Sequence, residues 1–347
     1  MDETHLQKEI LEQPKILAQL LKEERSTVEG VADIIRERAP RFIVLAARGS
    51  SDNAARYGQY LFGAANGLPV ALATPSLFSI YGKSPNLRDA LVIGVSQSGQ
   101  TPDIVSVLEK GRSQGALTIA LTNALDSPMA QASEHVINLH AGEELSVAAT
   151  KTYTASLMAL AMLSTALMED EGRFDALGTV PDLIAEVTAS VDEIVAEAER
   201  YRYMGACVVI SRGYNYATAY EIALKLKELT YVLAEPYSSA DFQHGPVALV
   251  EKGFPVIAAV PEGAVSSELI EMLRRLRERD AELVVFSALQ EALDLAQTPV
   301  SLPGGIPEWL SPLVTVVPGQ AFAFGLTLAK GFDPDNPRQI QKVTRTR

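Results

Sequence analysis

The sequence has 347 residues, a formal net charge of −13 at pH 7 and a single cysteine. A chain of this length exceeds the size at which one hydrophobic core stops growing, so two domains are expected. The acidic balance and the pI near 4.9 exclude nucleic acids and anionic membranes as electrostatic partners, and any anionic ligand must be held by local groups.

The sequence shows no pattern of a targeting signal. Its start, Met1-Asp2-Glu3, lacks the basic and apolar regions of a signal peptide. The richest apolar run, Ala155 to Met168, is too short to span a membrane and is typical of a core helix, which we predict from about Ser146 to Met168. The single Cys207 lies in another apolar run, which predicts a buried, inert thiol. We therefore expect a cytoplasmic protein.

The first half alternates between strand and helix patterns. Apolar residues recur at helical spacing between positions 6 and 37, interrupted at Pro14, which predicts two helices. A buried strand over 42–47, a polar turn over 48–52 and a helix over 53–66 follow. Further strands are predicted at 70–73, 91–95 and 116–121. This alternation predicts a doubly wound α/β domain with a parallel sheet and right-handed crossovers.

The second half repeats the first at an offset of 164 residues. Arg48-Gly49 corresponds to Arg212-Gly213, and Gly99 corresponds to Gly263, each pair following an apolar strand. We therefore predict two tandem, flavodoxin-like domains related by internal duplication. The expected segments are an N-terminal helical segment (1–25), the first domain (26–180), the second domain (181–330) and a C-terminal tail (331–347).

The turn after the strand at 91–95 carries the strongest chemical signal. Ser96-Gln97-Ser98-Gly99-Gln100-Thr101 leads directly into Pro102, a preferred first residue of a helix. Amides at the helix N-terminus and three hydroxyl groups suit the oxygens of a phosphate. The turn lacks the Gly-Lys-Ser/Thr of a nucleotide loop, so we predict a sugar phosphate site; an ordinary threonine-capped turn is the alternative. In the second half the turn is Pro261-Glu262-Gly263, whose carboxylate would repel a phosphate.

Two further polar clusters lie in the second half. Glu221, Lys225 and Glu228 share one face of a helix predicted over 216–233, whose apolar stripe is Ile222, Leu226, Leu229 and Leu233. Spacing alone favours a solvated row of ion pairs. His244 stands just before a Gly-Pro break, where an imidazole can be held and still be reached. A surface loop and an acid/base role are both open for this histidine.

Together these motifs resemble a known family over nearly the whole chain. SQSGQT in the first half, with LKLKELTY and HGP in the second, is similar to tandem sugar isomerase (SIS) domains. The resemblance is to the isomerase half of glucosamine-6-phosphate synthase and to SIS-type glucosamine-6-phosphate deaminases. It implies that the SQSGQT turn binds the 6-phosphate of a sugar.

The resemblance also implies roles for individual residues. Glu228 would move a proton between C1 and C2 of the sugar, with Lys225 beside it. His244 would open the sugar ring from the neighbouring subunit of a homodimer. Lys342 would lie in a C-terminal tail over the substrate, for which a frayed basic terminus is the alternative. The implied substrate-binding residues are Ser50, Ser51, Ser96, Gln97, Ser98, Thr101, Glu144 and Val147, the last two lining the amino end of the sugar.

Departures from the synthase pattern favour the deaminase branch. The synthases carry an N-terminal glutaminase domain with a nucleophilic cysteine, whereas this sequence begins Met1-Asp2 and enters the SIS region directly, so we expect no glutamine hydrolysis. Arg48-Gly49-Ser50-Ser51 replaces Cys-Gly-Thr-Ser, and Ala149 replaces a usual serine. The predicted reaction is glucosamine 6-phosphate and water to fructose 6-phosphate and ammonia.

Other activities stay open. The same skeleton would suit a fructosamine-6-phosphate deglycase, a galactosamine-type deaminase or an ammonia-dependent glucosamine-6-phosphate synthase. A non-catalytic sugar phosphate sensor would not need Glu228, His244 and Lys342 together. The four histidines lack metal-ligand spacing, so no metal or other cofactor is expected, and His135 and His140 are expected to be structural. The expected partners are a sugar phosphate and a second copy of the chain.

Overall fold

The computed structural model describes residues 4–342, in which ten strands form two five-stranded sheets. The strands are β1 (Phe42–Ala46), β2 (Val70–Leu72), β3 (Ala90–Val95), β4 (Leu117–Thr122), β5 (His135–Asn138), β6 (Ala206–Ser211), β7 (Leu233–Ser238), β8 (Pro255–Val260), β9 (Glu282–Ser287) and β10 (Thr298–Ser301). The sheet orders are β2-β1-β3-β4-β5 and β7-β6-β8-β9-β10, and all pairings within them are parallel. The predicted doubly wound α/β class is confirmed.

Helices connect the strands. They are α1 (His5–Leu11), α2 (Gln13–Arg38), α3 (Ser50–Asn66), α4 (Pro75–Ser79), α5 (Pro102–Ser113), α6 (Pro128–Ala132), α7 (Lys151–Met168), α8 (Glu171–Thr188), α9 (Val191–Ala198), α10 (Tyr216–Thr230), α11 (Ser239–Gln243), α12 (Ser266–Arg277), α13 (Gln290–Leu293) and α14 (Ser311–Ala329). Short 3₁₀ turns occur at Glu199–Tyr201, Gly213–Asn215 and Pro246–Leu249. Because parallel strands need crossovers, each sheet is flanked by the helices that join its strands.

The strand order fixes where a ligand can bind. In each sheet the first strand of the repeat lies between the second and the third, so the chain leaves β1 and β3 in opposite directions, as it leaves β6 and β8. Such a switch point opens a crevice outside the carboxyl ends of the two strands. The turns after β1 and β3 therefore lie at one edge of the first sheet, and the turns after β6 and β8 at one edge of the second.

The internal duplication is confirmed by the matching strand orders and by the positions of equivalent elements. The strands β1 and β6 begin 164 residues apart, and so do the helices α5 and α12. The offset read from the two glycine anchors therefore extends through whole strand-turn-helix units.

The chain divides into two compact units, each described here by itself. The first unit comprises residues 13–144, 151–181 and 341–342, and the second comprises 4–12, 145–150 and 182–340. The apolar core of the first includes Val44, Val92, Ile104, Val107 and Leu108. That of the second includes Val208, Val256, Leu269, Leu273 and Val285. The domain limits at 25, 180 and 330 stay predictions, and residues 343–347 of the expected tail lie outside the described residues.

Some helix limits differ from the predicted ones. The two N-terminal helices are present, but the break falls at Glu12, because Pro14 occupies the first turn of α2, where no backbone N–H is needed. The helix predicted from Ser146 begins instead at Lys151. The residues before it are held by a buried carboxylate, described below.

The helix predicted over 216–233 ends three residues early. Tyr231 adopts a left-handed φ of 58°, which stops α10 at Thr230. Leu233 then begins β7 and is 70 % exposed, so its place in the apolar stripe was wrong. The other stripe residues, Ile222, Leu226 and Leu229, are buried as predicted.

The most apolar helix was missed by the sequence patterns. The helix α14 is long and apolar enough to cross a membrane by length and composition, and 89 % of its apolar window is buried inside the protein. A helix that is apolar on all sides and buried is typical of a core helix. The run from Ala155 to Met168 was therefore not the richest, although it does form a buried core helix, α7.

Candidate active site

The turn from Ser96 to Thr101 joins β3 to α5 and is folded by its own hydroxyl groups. The Ser96 hydroxyl accepts a hydrogen bond from the Gly99 N–H at 3.1 Å, and the Ser98 hydroxyl accepts one from the Gln100 N–H at 3.3 Å. Each serine keeps its own hydroxyl proton for donation to a ligand. Gly99 has a positive φ of 60°, and a Cβ there would collide with the Ser127 side chain. The turn therefore requires glycine at this position.

Thr101 occupies the N-cap position of α5 but does not cap the helix with its side chain. The alternative, an ordinary turn capped by the threonine side chain, is therefore wrong. Ser96 is buried, whereas Gln97, Ser98 and Thr101 are half-buried and reachable. Hydroxyls at a helix N-terminus can bind an anion together with the positive end of the helix dipole. Phosphate binding here stays a prediction.

Ser50 and Ser51 lie at the same edge of the first sheet, after the neighbouring strand β1. They form the first turn of α3, which follows Gly49 in the left-handed region at φ 57°. Both are half-buried. The parallel pairing of β1 with β3 places this turn at the same edge of the sheet as the SQSGQT turn, so both predicted substrate-binding turns border the switch-point crevice.

The charged row on α10 is buried. Lys225 is 1 % exposed, and its Nζ lies 3.4 Å from Glu221 Oε1 and 2.6 Å from Glu228 Oε2. Glu221 is fully buried, while the Glu228 side chain is 25 % exposed. Spacing favoured a solvated row, and that interpretation was wrong. A buried ammonium is costly unless it is paired, so the row must be maintained by its mutual charges, and Glu228 is the member that solvent reaches.

His244 lies on the surface of the second unit in a segment whose backbone is fixed. It ends α11, where its N–H donates to the Asp241 carbonyl at 3.1 Å. The carboxylate of Glu268 anchors α11 by accepting from Ser239 Oγ at 2.7 Å and from Gln243 Nε2 at 3.1 Å. The imidazole is exposed. As expected, the backbone at His244 is held by hydrogen bonds while its side chain is accessible to solvent.

Lys342 and Glu144, predicted separately, form an ion pair in the first unit. Lys342 Nζ lies 2.5 Å from Glu144 Oε2. Glu144 is buried and also accepts from the Thr152 N–H at 3.1 Å and from Thr152 Oγ1 at 2.7 Å. A lysine paired with a buried carboxylate is not part of a frayed terminus. Lys342 itself is therefore held next to Glu144.

Val147 belongs to a segment, residues 145–150, of which residues 146–150 were predicted as helix. Glu9 of α1 holds this segment: its carboxylate accepts from the Leu145 N–H at 2.5 Å and from the Ser146 hydroxyl. Glu9 is 3 % exposed, and Val147 is half-buried. The sequence reasoning missed Glu9. The available signal was a carboxylate at a position that shares the apolar face of α1 with Leu6.

The histidines of the first unit have structural surroundings. His140 Nε2 lies 2.7 Å from Glu24 Oε1, and His135 begins β5. Within residues 4–342, no group of three or more His, Cys, Asp or Glu side chains is arranged to hold a metal ion.

The two units therefore carry different predicted residues. The first unit holds the SQSGQT turn, the Ser50-Ser51 turn and the Glu144–Lys342 pair. The second holds the buried row on α10, His244 and Val147. Within each unit, strand ends, helix ends and buried carboxylates hold the predicted residues in position.

Comparison with known proteins identifies the family. Residues 38–166 and 205–294 match the SIS domain. The chain belongs to the SIS domain family. It is 32 % identical, over 97 % of its length, to glutamine–fructose-6-phosphate aminotransferase (isomerizing) of Aquifex aeolicus. The match covers 57 % of that relative, so the chain spans little more than half the length of the curated relatives it matches.

Solved structures share the fold of this SIS protein. A protein from Silicibacter pomeroyi, assigned as a phosphosugar isomerase, is 36 % identical with a TM-score of 0.87, covering 96 % of this chain and 100 % of that one. Glucosamine-6-phosphate deaminase from Thermotoga maritima is 20 % identical with a TM-score of 0.78, covering 99 % and 100 %. At that identity the second likeness concerns the fold. The predicted resemblance to tandem SIS domains is confirmed.

Proposed function

We propose that this SIS protein is a cytoplasmic amino-sugar phosphate isomerase that converts glucosamine 6-phosphate and water into fructose 6-phosphate and ammonia. The observation that carries the proposal is the buried row on α10. Two of its three charged groups, Glu221 and Lys225, are sealed from solvent, and Glu228 is partly exposed. Desolvating an ammonium group costs free energy, so a buried lysine is not explained by the stability of the helix alone. A carboxylate fixed by that ammonium is suited to moving a proton.

The phosphate would be held in the first unit. The Ser96, Ser98 and Thr101 hydroxyls, with the N-terminus of α5, offer donors to a dianionic monoester. The phosphate does not react, so its binding energy can position the sugar carbons for proton transfer. Gln97, Ser50 and Ser51 would complete the contacts to the sugar phosphate.

The chemistry requires one base that serves two adjacent carbons. After ring opening, Glu228 would take the proton from C2 of the aldehyde and return it to C1, while one proton passes from the amino group to the C1 oxygen, which leaves a hydroxyl at C1 and an imine at C2. Water then adds to the imine carbon, and ammonia departs to leave the ketone of fructose 6-phosphate. Lys225 Nζ, 2.6 Å from the carboxylate, fixes the position of Glu228 throughout.

The remaining residues receive roles at the two ends of the sugar. His244 would donate a proton to the ring oxygen during opening, from the neighbouring subunit of a homodimer. Lys342 would cover the substrate, held by its ion pair with Glu144. Val147 and Glu144 would line the amino end. Arg48-Gly49-Ser50-Ser51 and Ala149 favour deamination over ammonia-dependent synthesis.

A panel of sugar phosphates tests the proposed reaction. Purified protein is incubated with glucosamine 6-phosphate, galactosamine 6-phosphate and fructosamine 6-phosphate, and released ammonia and ketose phosphate are measured. We expect ammonia release to be fastest with glucosamine 6-phosphate. Faster turnover of one of the other two substrates would assign that alternative, and net synthesis from fructose 6-phosphate and ammonia would reverse the physiological direction. Binding of these compounds without turnover would identify a sensor.

Mixing variants tests the shared site. His244→Ala and Glu228→Gln chains, each inactive, should regain part of the activity when they are refolded together. Heterodimers without activity would show that each site is built from one chain.

A further inference from the structure

An ion pair joins the two turns that flank the predicted phosphate crevice. Arg48 follows β1, separated from it by a single alanine. Its Nε donates to Asp103 Oδ2 at 2.9 Å, and its Nη2 donates to the same oxygen at 2.6 Å. Asp103 lies in the first turn of α5, two residues after Thr101, and is fully buried. The Arg48 side chain is 48 % exposed. The pair thus links the end of one strand to the helix that the phosphate turn begins.

Asp103 creates an electrostatic conflict. A carboxylate in the first turn of a helix binds the positive end of the helix dipole, which is also what an incoming phosphate needs. A buried negative charge at that place would repel the dianion through a medium of low dielectric. The charge of Asp103 must therefore be neutralised for the crevice to accept a phosphate, and Arg48 contacts it directly.

A second carboxylate feels the same guanidinium. Asp52 lies in the first turn of α3, at the other side of the crevice. Burial raises the pKa of Asp52, and the positive charges of Arg56 and Arg48 oppose that rise. Arg48 is therefore a positive charge that acts on the acidic residues in the first turns of both α3 and α5, and Arg56 adds a second one beside Asp52.

The duplicated unit retains the arrangement. Arg212, equivalent to Arg48, places Nη1 3.0 Å from Oε2 of Glu268, in the first turn of α12. There the phosphate turn is replaced by Pro261-Glu262-Gly263. Both units therefore contain an arginine that follows the first strand of the sheet and pairs with an acidic residue in the helix after the third strand. The two ion pairs can be compared directly, because only the first lies next to a predicted phosphate turn.

We propose that Arg48 is a positioning residue for phosphate binding, which acts by neutralising Asp103 and by fixing the N-terminus of α5 rather than by contacting the sugar. The inference rests on the proposed sugar phosphate site. It assigns a physical reason to the arginine in the Arg48-Gly49-Ser50-Ser51 turn, which the sequence offered only as a mark of the deaminase branch.

Charge-compensating variants test this role by calorimetric titration with glucosamine 6-phosphate. Arg48→Gln removes the guanidinium that pairs with Asp103, so the Kd should rise about tenfold or more. The double variant Arg48→Gln/Asp103→Asn removes both charges and should bind within about threefold of the parent. Arg212→Gln, the matched control, should keep the parental Kd. Titration with unphosphorylated glucosamine should show no such differences.

The outcomes separate the possible roles. A double variant as weak as Arg48→Gln would mean that Arg48 contacts the phosphate itself, which overturns the proposal, as would a parental Kd for Arg48→Gln. If Arg48→Gln does not fold, the double variant decides: parental binding supports the inference and tenfold weaker binding rejects it. A parent that binds neither glucosamine 6-phosphate nor inorganic phosphate would instead reject the proposed function. Steady-state kinetics should show the loss in KM, with kcat little changed.

Discussion

The two switch points of the molecule have the same strand topology but carry different groups at the helix N-terminus. At the first, hydroxyl groups of the SQSGQT turn border an N-terminus where a ligand can bind. At the second, the protein supplies its own anion: Glu308 Oε2 accepts from the Ala264 N–H at 2.7 Å. The side chain of Glu308 also fills the space next to Gly263, and an added Cβ on Gly213 would lie 3.6 Å from its Oε1. The second crevice is thus closed by a carboxylate where the first would receive a phosphate.

Under the proposed function, this difference lets the two copies of one duplicated unit carry two tasks. Both copies keep the glycine with positive φ, at 60° for Gly99 and 139° for Gly263, because both turns must bend sharply before a helix. Once Glu308 occupies the second crevice, no external anion is needed there. The second unit instead carries the buried charged row on α10. Under the proposed function, phosphate binding belongs to the first copy of the fold and proton transfer to the second.

The strongest test of this division replaces the proposed base in the second copy. Glu228→Gln keeps the shape of the side chain but cannot accept a proton. We expect turnover to fall by about 10² to 10⁴, with the Kd of glucosamine 6-phosphate little changed. Exchange of the C1 or C2 hydrogen in heavy water should be lost together with ammonia release. Ammonia release near the parental rate would show that the row is structural.

Matched glycine variants should separate the two turns. Gly99→Ala strains a left-handed backbone and collides with Ser127, at a combined cost of about 2 to 5 kcal/mol. We expect this variant to lose phosphate affinity. Gly263→Ala collides with Glu308 and should lower the Tm of the protein while the phosphate affinity is kept. Equal losses of affinity in both variants would mean that the second turn also participates in binding.

Hydroxyl deletions probe the first turn more finely. Ser98→Ala and Thr101→Ala should each cost about 1.5 to 3 kcal/mol in kcat/KM, because each removes a hydrogen bond to a charged group. The loss should appear in KM, since the phosphate does not react. Ser266→Ala is the control, because Ser266 begins the equivalent helix and donates to the Gly263 carbonyl. Unchanged KM values for both variants would contradict the phosphate assignment.

Removing the internal anion should affect stability more than catalysis. Glu308→Gln weakens the hydrogen bond to the Ala264 N–H, which is worth about 1.5 to 3 kcal/mol when the acceptor is charged. The free energy of unfolding should decrease by up to that amount, while kcat/KM stays at the parental value. A drop in kcat/KM at unchanged stability would show that Glu308 serves the reaction.

Strand patterns predicted the fold because buried parallel strands read as continuous apolar runs, as β3 and β8 do. The SQSGQT turn could also be recognised in the sequence, because its residues are adjacent there. Burial of Lys225 could not be predicted, because i,i+4 spacing is the same on a wet helix face and on a buried one. Long-range partners were equally hidden: Glu9 with Ser146, and Lys342 with Glu144, are joined only by the folded chain.

The single thiol offers the finest test, because it reports on one unit only. Cys207 lies in β6 of the second unit, and burial raises the pKa of its thiol from 9.0 to about 12. The folded pKa exceeds the unfolded one, so this group contributes stability that is present below pH 9 and is lost as the pH rises towards 12. At pH 8 a thiol reagent should therefore label Cys207 only when the second unit opens. Gly263→Ala should accelerate labelling, and Gly99→Ala should leave it near the parental rate. Equal acceleration by both variants would show that the two units open together. The two units would then differ in their sites but not in their independent stabilities.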